Sequence, residues 1–116
     1  MGESTLIVAR PGRLRDALNA LLTTIPRLEI VGQADDDSSA LKMVTQRRPT
    51  LILLDSTLPG EEVEVVLAQI KANWPQTRCI VLADNSRQQQ VAKIAGADEV
   101  VVKGYPSGHL LASIEK

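Results

Sequence analysis

The chain has 116 residues, enough to bury a core in one domain and too few for two. Its 13 basic and 14 acidic residues give a net charge of −1, which argues against a nucleic-acid or anionic-membrane surface spread over the whole domain. Cys79 is the only cysteine, which excludes an intrachain disulfide and a multi-cysteine metal site and points to a reducing, cytoplasmic setting.

No apolar run approaches the roughly 20 residues of a membrane span. The start carries no signal-peptide pattern. Leu6 stands where a myristoylation motif after Met1-Gly2 has Ser or Thr. Phe is absent, and Trp74 and Tyr105 are the only aromatics, so no stacking platform for bases or a flavin is expected.

In chain order, residues 5–9 (TLIVA) predict a first strand, followed by the basic loop 9–13 (ARPGR). Leu14, Leu18, Leu21 and Leu22 fall at helical spacing. Residues 28–31 (LEIV) alternate and predict an edge strand. The triplet Asp35, Asp36 and Asp37 leads into a helix carrying Ala40, Met43 and Val44, with Asp36 and Asp37 as N-cap candidates and Pro49 as its stop. Residues 50–55 (TLILLD) predict the third strand, and Thr57, Leu58, Pro59 and Gly60 a turn. Val63, Val66, Leu67 and Ile70 form the clearest helical stripe, which Pro75 ends after Trp74, expected to pack against the core away from the site.

Residues 79–83 (CIVLA) predict the fourth strand. Ser86 is an N-cap candidate for a helix with the stripe Val91, Ile94 and Ala95 and with Gly96 as its C′ residue. Gln88, Gln89 and Gln90 read as a polar face of that helix. Residues 100–102 (VVV) predict the fifth strand, and Leu110, Leu111 and Ile114 a last helix running to Lys116. His109 is expected to be exposed, and Tyr105 to pack in its loop.

Four of the apolar runs (5–9, 50–55, 79–83 and 100–102) are continuous, which suits strands buried on both faces. Five strand–helix units imply right-handed crossovers and a parallel sheet covered on both sides. The expected fold is α/β: a flavodoxin-like (βα)5 doubly wound sheet of strand order 2-1-3-4-5, forming one domain over residues 1–116. Such sheets bind ligands beyond the strand carboxyl ends, where the order reverses. That places Asp55, Arg10 and Lys103 around one cleft. Taken alone, Asp55 reads either as a site residue or as a helix cap. No dinucleotide-binding or P-loop glycine pattern occurs.

Asp55 within residues 51–60 (LILLDSTLPG), together with Lys103 at the end of the fifth strand, resembles the receiver domain of bacterial two-component response regulators. Residues 30–37 (IVGQADDD) and 95–103 (AGADEVVVK) resemble the subgroup whose receivers precede a helix-turn-helix output domain. The resemblance spans essentially the whole chain. It implies that Asp55 matches the aspartate phosphorylated by a histidine kinase. Two acids after the first strand hold Mg²⁺ with that aspartate, and the lysine pairs with the phosphoryl oxygens. A Ser or Thr ending the fourth strand and an aromatic three residues before the lysine follow the phosphate.

Asp55 and Lys103 match that pattern, but Ala9 and Arg10 stand in place of the acid pair, Ala83 in place of the hydroxyl and Val100 in place of the aromatic. Mg²⁺ takes one or two carboxylates plus water and substrate oxygens, so its affinity is expected to fall sharply. Val100 is β-branched and stiff and cannot swing as a ring does. Two placements of Arg10 are open: in a cluster with Asp55 and Lys103 that imitates the metal's charge, or in solvent with Asp55 paired to Lys103 alone. Asp84 either leans into the cleft or caps the helix near Ser86.

No cofactor is expected. If Mg²⁺ is held at all, its candidate ligands are Asp55, Thr57 and Asp84. The implied function is a non-enzymatic, phosphorylation-impaired receiver acting through protein contacts. Its partner (a histidine kinase, an output domain or a second copy) would dock on the face of the fourth helix, fifth strand and fifth helix. The alternatives are an active receiver phosphorylated on Asp55 and, in the enzyme class, a small Asp-dependent phosphohydrolase or transferase.

Overall fold

The computed structural model describes residues 2–57, 63–104 and 107–115. Five strands and five helices alternate among them: β1 Glu3–Val8, α1 Arg13–Leu22, β2 Leu28–Ala34, α2 Asp37–Arg47, β3 Leu51–Asp55, α3 Val63–Asn73, β4 Arg78–Ala83, α4 Ser86–Ala95, β5 Glu99–Val102 and α5 Ser107–Glu115. The strands form one parallel sheet in the order β2-β1-β3-β4-β5, as the strand–helix alternation predicts. The expected turn at Leu58, Pro59 and Gly60, and Tyr105, lie outside the described residues.

The continuous apolar runs sort by period two onto the two faces. Leu6, Val8, Ile52, Leu54 and Val81 pack with Val44, Val66, Leu67, Ile70 and Ala92 from α2, α3 and α4. Ile7, Ala9, Leu51, Leu53, Ile80 and Leu82 pack with Leu18 and Leu22 of α1 and Leu110 and Ile114 of α5. Every residue of β3 is buried, Asp55 included. Trp74 packs at the margin of the first of these clusters, as expected.

Three expectations about β2, β5 and the apolar stripe of α4 need correction. First, β2 continues three residues beyond 28–31. Its register against β1 shifts between Thr5 and Leu6, leaving Val31 as an extra residue. Just beyond, Gly32 lets Met43 approach so closely that an added Cβ would lie 3.2 Å from its Sδ. Second, the valine run of β5 is not buried on both faces. It is the second edge strand, and all four of its residues are partly exposed. Third, Ile94 does not belong to the apolar stripe of α4, being 88% exposed. The helix buries Ala92 instead, and Ile94 stands about 200° around the helix from it.

The helix ends follow local chemistry. Asp36 caps α2 by accepting the Ser39 N–H at 2.8 Å, while Asp37 begins the helix. Asn85, not Ser86, caps α4, its side chain accepting from the Gln88 N–H at 2.9 Å. Gly96 closes α4 at φ 114°, a conformation that favours glycine. At the opposite edge from the strand carboxyl ends, the guanidinium groups of Arg27 and Arg78 donate to the Ile114 carbonyl at 3.0 and 3.2 Å, fixing the last turn of α5.

The burial pattern fixes the cost of truncation. Leu67→Ala removes wholly buried packing and is expected to cost about 2–5 kcal/mol, whereas Ile94→Ala is expected to stay within about 0.5 kcal/mol. Urea denaturation midpoints at constant m-value check both.

Candidate functional site at the strand carboxyl ends

The parallel register brings the carboxyl ends of β1, β3, β4 and β5 to one edge. Asp55 is the last residue of β3 and is only 5% exposed. A carboxylate so buried requires donors. Its Oδ1 accepts from the Thr57 N–H at 3.1 Å, the Thr57 hydroxyl at 3.0 Å and the Lys103 ammonium at 2.6 Å. Lys103 is seated by its own backbone, whose N–H donates to the Ala83 carbonyl at 2.7 Å.

The Lys103 ammonium also meets Asp84 Oδ1 at 2.9 Å, so one cation spans two carboxylates. Burial alone would lower the lysine pKa. Hydrogen bonds and charge attraction from Asp55 and Asp84 outweigh burial and leave the pKa above the ordinary value. Asp84 therefore leans into the cleft, and Asn85 performs the capping role considered for it.

Arg10 is exposed and has no hydrogen bond or ion pair among the described residues. Of its two open placements, the geometry is the second: Asp55 pairs with Lys103, and Arg10 faces solvent. It nevertheless lines a cleft of about 410 Å³ with Pro11, Gly12, Arg13, Asp55, Thr57 and Lys103. Ala9 and Ala83 are wholly buried beside Asp55, and Val100 is half-buried against the core.

Gln88 belongs to the site, although the glutamine run reads as a polar face. Its Oε1 accepts from the Ser56 hydroxyl and from the Asp84 N–H, each at 2.7 Å. One amide thus ties the loop after β3 to the loop after β4. The signal lay in its position three residues after the cap Asn85, where a side chain reaches back over the helix start. The acidic triplet has other roles: Asp35 pairs with Arg15, and Asp36 is the cap. Cys79 is buried, and burial pushes its thiol up to about 12, so it is no nucleophile at neutral pH.

Fold and site together define a doubly wound signalling domain. The response regulator receiver domain family matches residues 6–115, and the chain belongs to that family. It is 34% identical over 103 residues to protein-glutamate methylesterase/protein-glutamine glutaminase 3 of Myxococcus xanthus, covering 84% of this chain and 29% of that protein. It is 29% identical over 90 residues to the chemotaxis protein CheY of Listeria monocytogenes, covering 76% of each chain. The crystal structure of a LuxR-family two-component response regulator from Aurantimonas sp. superimposes with TM-score 0.90 at 22% identity, over 99% of this chain and 84% of that one. The chain spans about three-tenths of the length of the first two curated relatives it matches. Receiver domains exchange signals with histidine kinases and output domains. No described helix is long and apolar enough to cross a membrane.

Lys103 carries a pH signature. A pKa raised in the folded state stabilises below the unfolded value, about 10.4, and that stabilisation is lost as pH rises through the folded value. Lys103→Met is therefore expected to destabilise by about 1–3 kcal/mol at neutral pH. Urea midpoints of the two proteins should run parallel to about pH 9 and converge above about pH 10.4.

Proposed function

We propose that this receiver domain is impaired in phosphorylation and signals through protein–protein contacts. One observation carries the reading: the Lys103 ammonium already spans Asp55 and Asp84, while Ala9 and Arg10 stand where the family's acid pair would. The oxygen donors fit Mg²⁺ poorly. Asp55 Oδ1 is engaged by three donors, Asp84 is held by the same ammonium, and Arg10 adds a cation to the cleft. Without the metal, a phosphoryl group approaching Asp55 lacks its main charge compensation. Ala83 offers no hydroxyl to follow a phosphate, and Val100 no ring to turn.

The partner face is that of α4, β5 and α5. It presents a depression of about 380 Å³ between Gln89, Val100, Val101, His109 and Ala112, and α4 also exposes Ile94. A partly exposed edge strand and an exposed apolar residue on the neighbouring helix favour a protein partner: a histidine kinase, an output domain or a second copy. The likeness to a LuxR-family response regulator favours a transcriptional output in a cytoplasmic two-component pathway. This domain itself contacts no nucleic acid or membrane and is not an enzyme.

The second reading, an active receiver phosphorylated on Asp55, draws on the retained Asp55–Lys103 pair. Intact-mass spectrometry after incubation with acetyl phosphate and Mg²⁺ separates the two, with an active receiver treated in parallel and Asp55→Asn as control. The expected result is no phosphoryl adduct on folded wild-type protein. An adduct that disappears in Asp55→Asn would establish the second reading.

A further inference from the structure

The arginine-lined cleft has an apolar neighbour across Lys103. A second depression, of about 320 Å³, runs between α1 and α5 and shares Leu14 and Lys103 with it. Its walls are Ala17, Leu18 and Leu21 of α1, Val101 of β5 and Leu110 of α5. The two depressions adjoin at Leu14 and Lys103, the first cationic and the second aliphatic. Each is of the size small-ligand sites have, and the cationic one lies beyond β1 and β3, at the topological switch point where doubly wound sheets bind ligands.

The charges in the first part do not cancel. Lys103 is matched by Asp55 and Asp84, but neither Arg10 nor Arg13 has an ion pair or hydrogen bond among the described residues. Between them Gly12 starts α1 without any side-chain cap, so the positive end of the helix adds to the same field. In the second part, Leu14 and Leu21 stay half-exposed along an open groove. Covering them removes apolar surface from water.

We propose that this groove binds a small anionic amphiphile, namely a medium-chain fatty acid. Its carboxylate would lie between Arg10 and Arg13, and its chain along α1 toward Leu21. Guanidinium forks suit a carboxylate. A singly charged head also meets less repulsion from the Asp55 carboxylate, which lines the same cleft, than a doubly charged phosphate would. The aliphatic walls run from Leu14 to Leu21, about 10 Å of helix, which sets a medium rather than a long chain. Binding of this kind needs neither a metal nor phosphorylation of Asp55.

The test titrates the isotopically labelled protein, below the micellar concentration, with decanoate, decanol and acetate, reading amide chemical shifts. Decanoate is expected to move amides of α1 and of Val101 to Gly104, and to bind about tenfold or more tightly than decanol, the value of a charge-assisted hydrogen bond. Acetate should bind too weakly to saturate. Arg10→Gln with Arg13→Gln should bring decanoate down to decanol's affinity. Ala17→Leu, which fills the groove from an exposed helical position, should weaken both. Each variant is first shown to keep the wild-type urea midpoint. The proposal is overturned if decanoate leaves the folded protein's spectrum unchanged, if decanol binds equally well, or if either variant binds decanoate like wild type.

Discussion

Asp55 ends a strand whose other four residues are wholly buried, and the architecture of the site follows from having to compensate that one charge. An isolated carboxylate in that position would cost more than the surrounding packing can offset. The fold supplies compensation from three directions: the Thr57 backbone, the Thr57 hydroxyl and an ammonium arriving from the end of β5. The last is the expensive one, because Lys103 must itself leave water. Its position is therefore prepared by β4–β5 pairing and by the bond from its own N–H to the Ala83 carbonyl. Sheet register, and not loop flexibility, decides where the cation sits.

The same requirement explains why the loops at this edge are tied together. Asp84 brings a second carboxylate to Lys103, which makes the loop after β4 part of the charge balance. Gln88 then links the Asp84 backbone to Ser56, the residue next to Asp55. A shift of α4 would thus be felt at Asp55 through two hydrogen bonds and one ammonium. The element carrying the exposed Ile94 is also the one whose first turn contributes to the site. Under the proposed function, those bonds are the physical connection between the cleft and the α4 surface, with α4 as the element both would bias.

Much of this fold was legible because its signals are periodic. Buried parallel strands write themselves as unbroken Val, Ile and Leu runs, and the spacing of Val63, Val66, Leu67 and Ile70 fixes one helix face. The failures share a cause: edges and ends depend on neighbours that the local pattern does not contain. Val100 to Val102 look like Leu51 to Leu54 in sequence, but only the latter have strands on both sides. Ile94 matches a helical stripe, yet α4 rests on the small Ala92. Asp55 and Lys103 were marked by strand position. Asp84 stays open between cleft and cap in the sequence because its neighbour Asn85 competes for the capping role, and backbone geometry settles that competition.

Charge balance then distinguishes this cleft from one built for a divalent cation. A site with acids after β1 is net negative before metal arrives, and Mg²⁺ completes it. Here the chain after β1 contributes a wholly buried methyl group at Ala9 and, at Arg10, a guanidinium with no described partner, followed by Arg13 at the uncapped start of α1. Two carboxylates share one ammonium while two arginines have no partner among the described residues, so the described lining of the cleft is net positive. That balance is what the proposed function rests on, because positive charge disfavours a divalent cation and favours oxyanions. The reversal comes from two adjacent loop residues and leaves the sheet untouched. Loops tolerate such exchanges because they carry little of the core, which is how one architecture can keep its aspartate and lysine while changing what the pair faces.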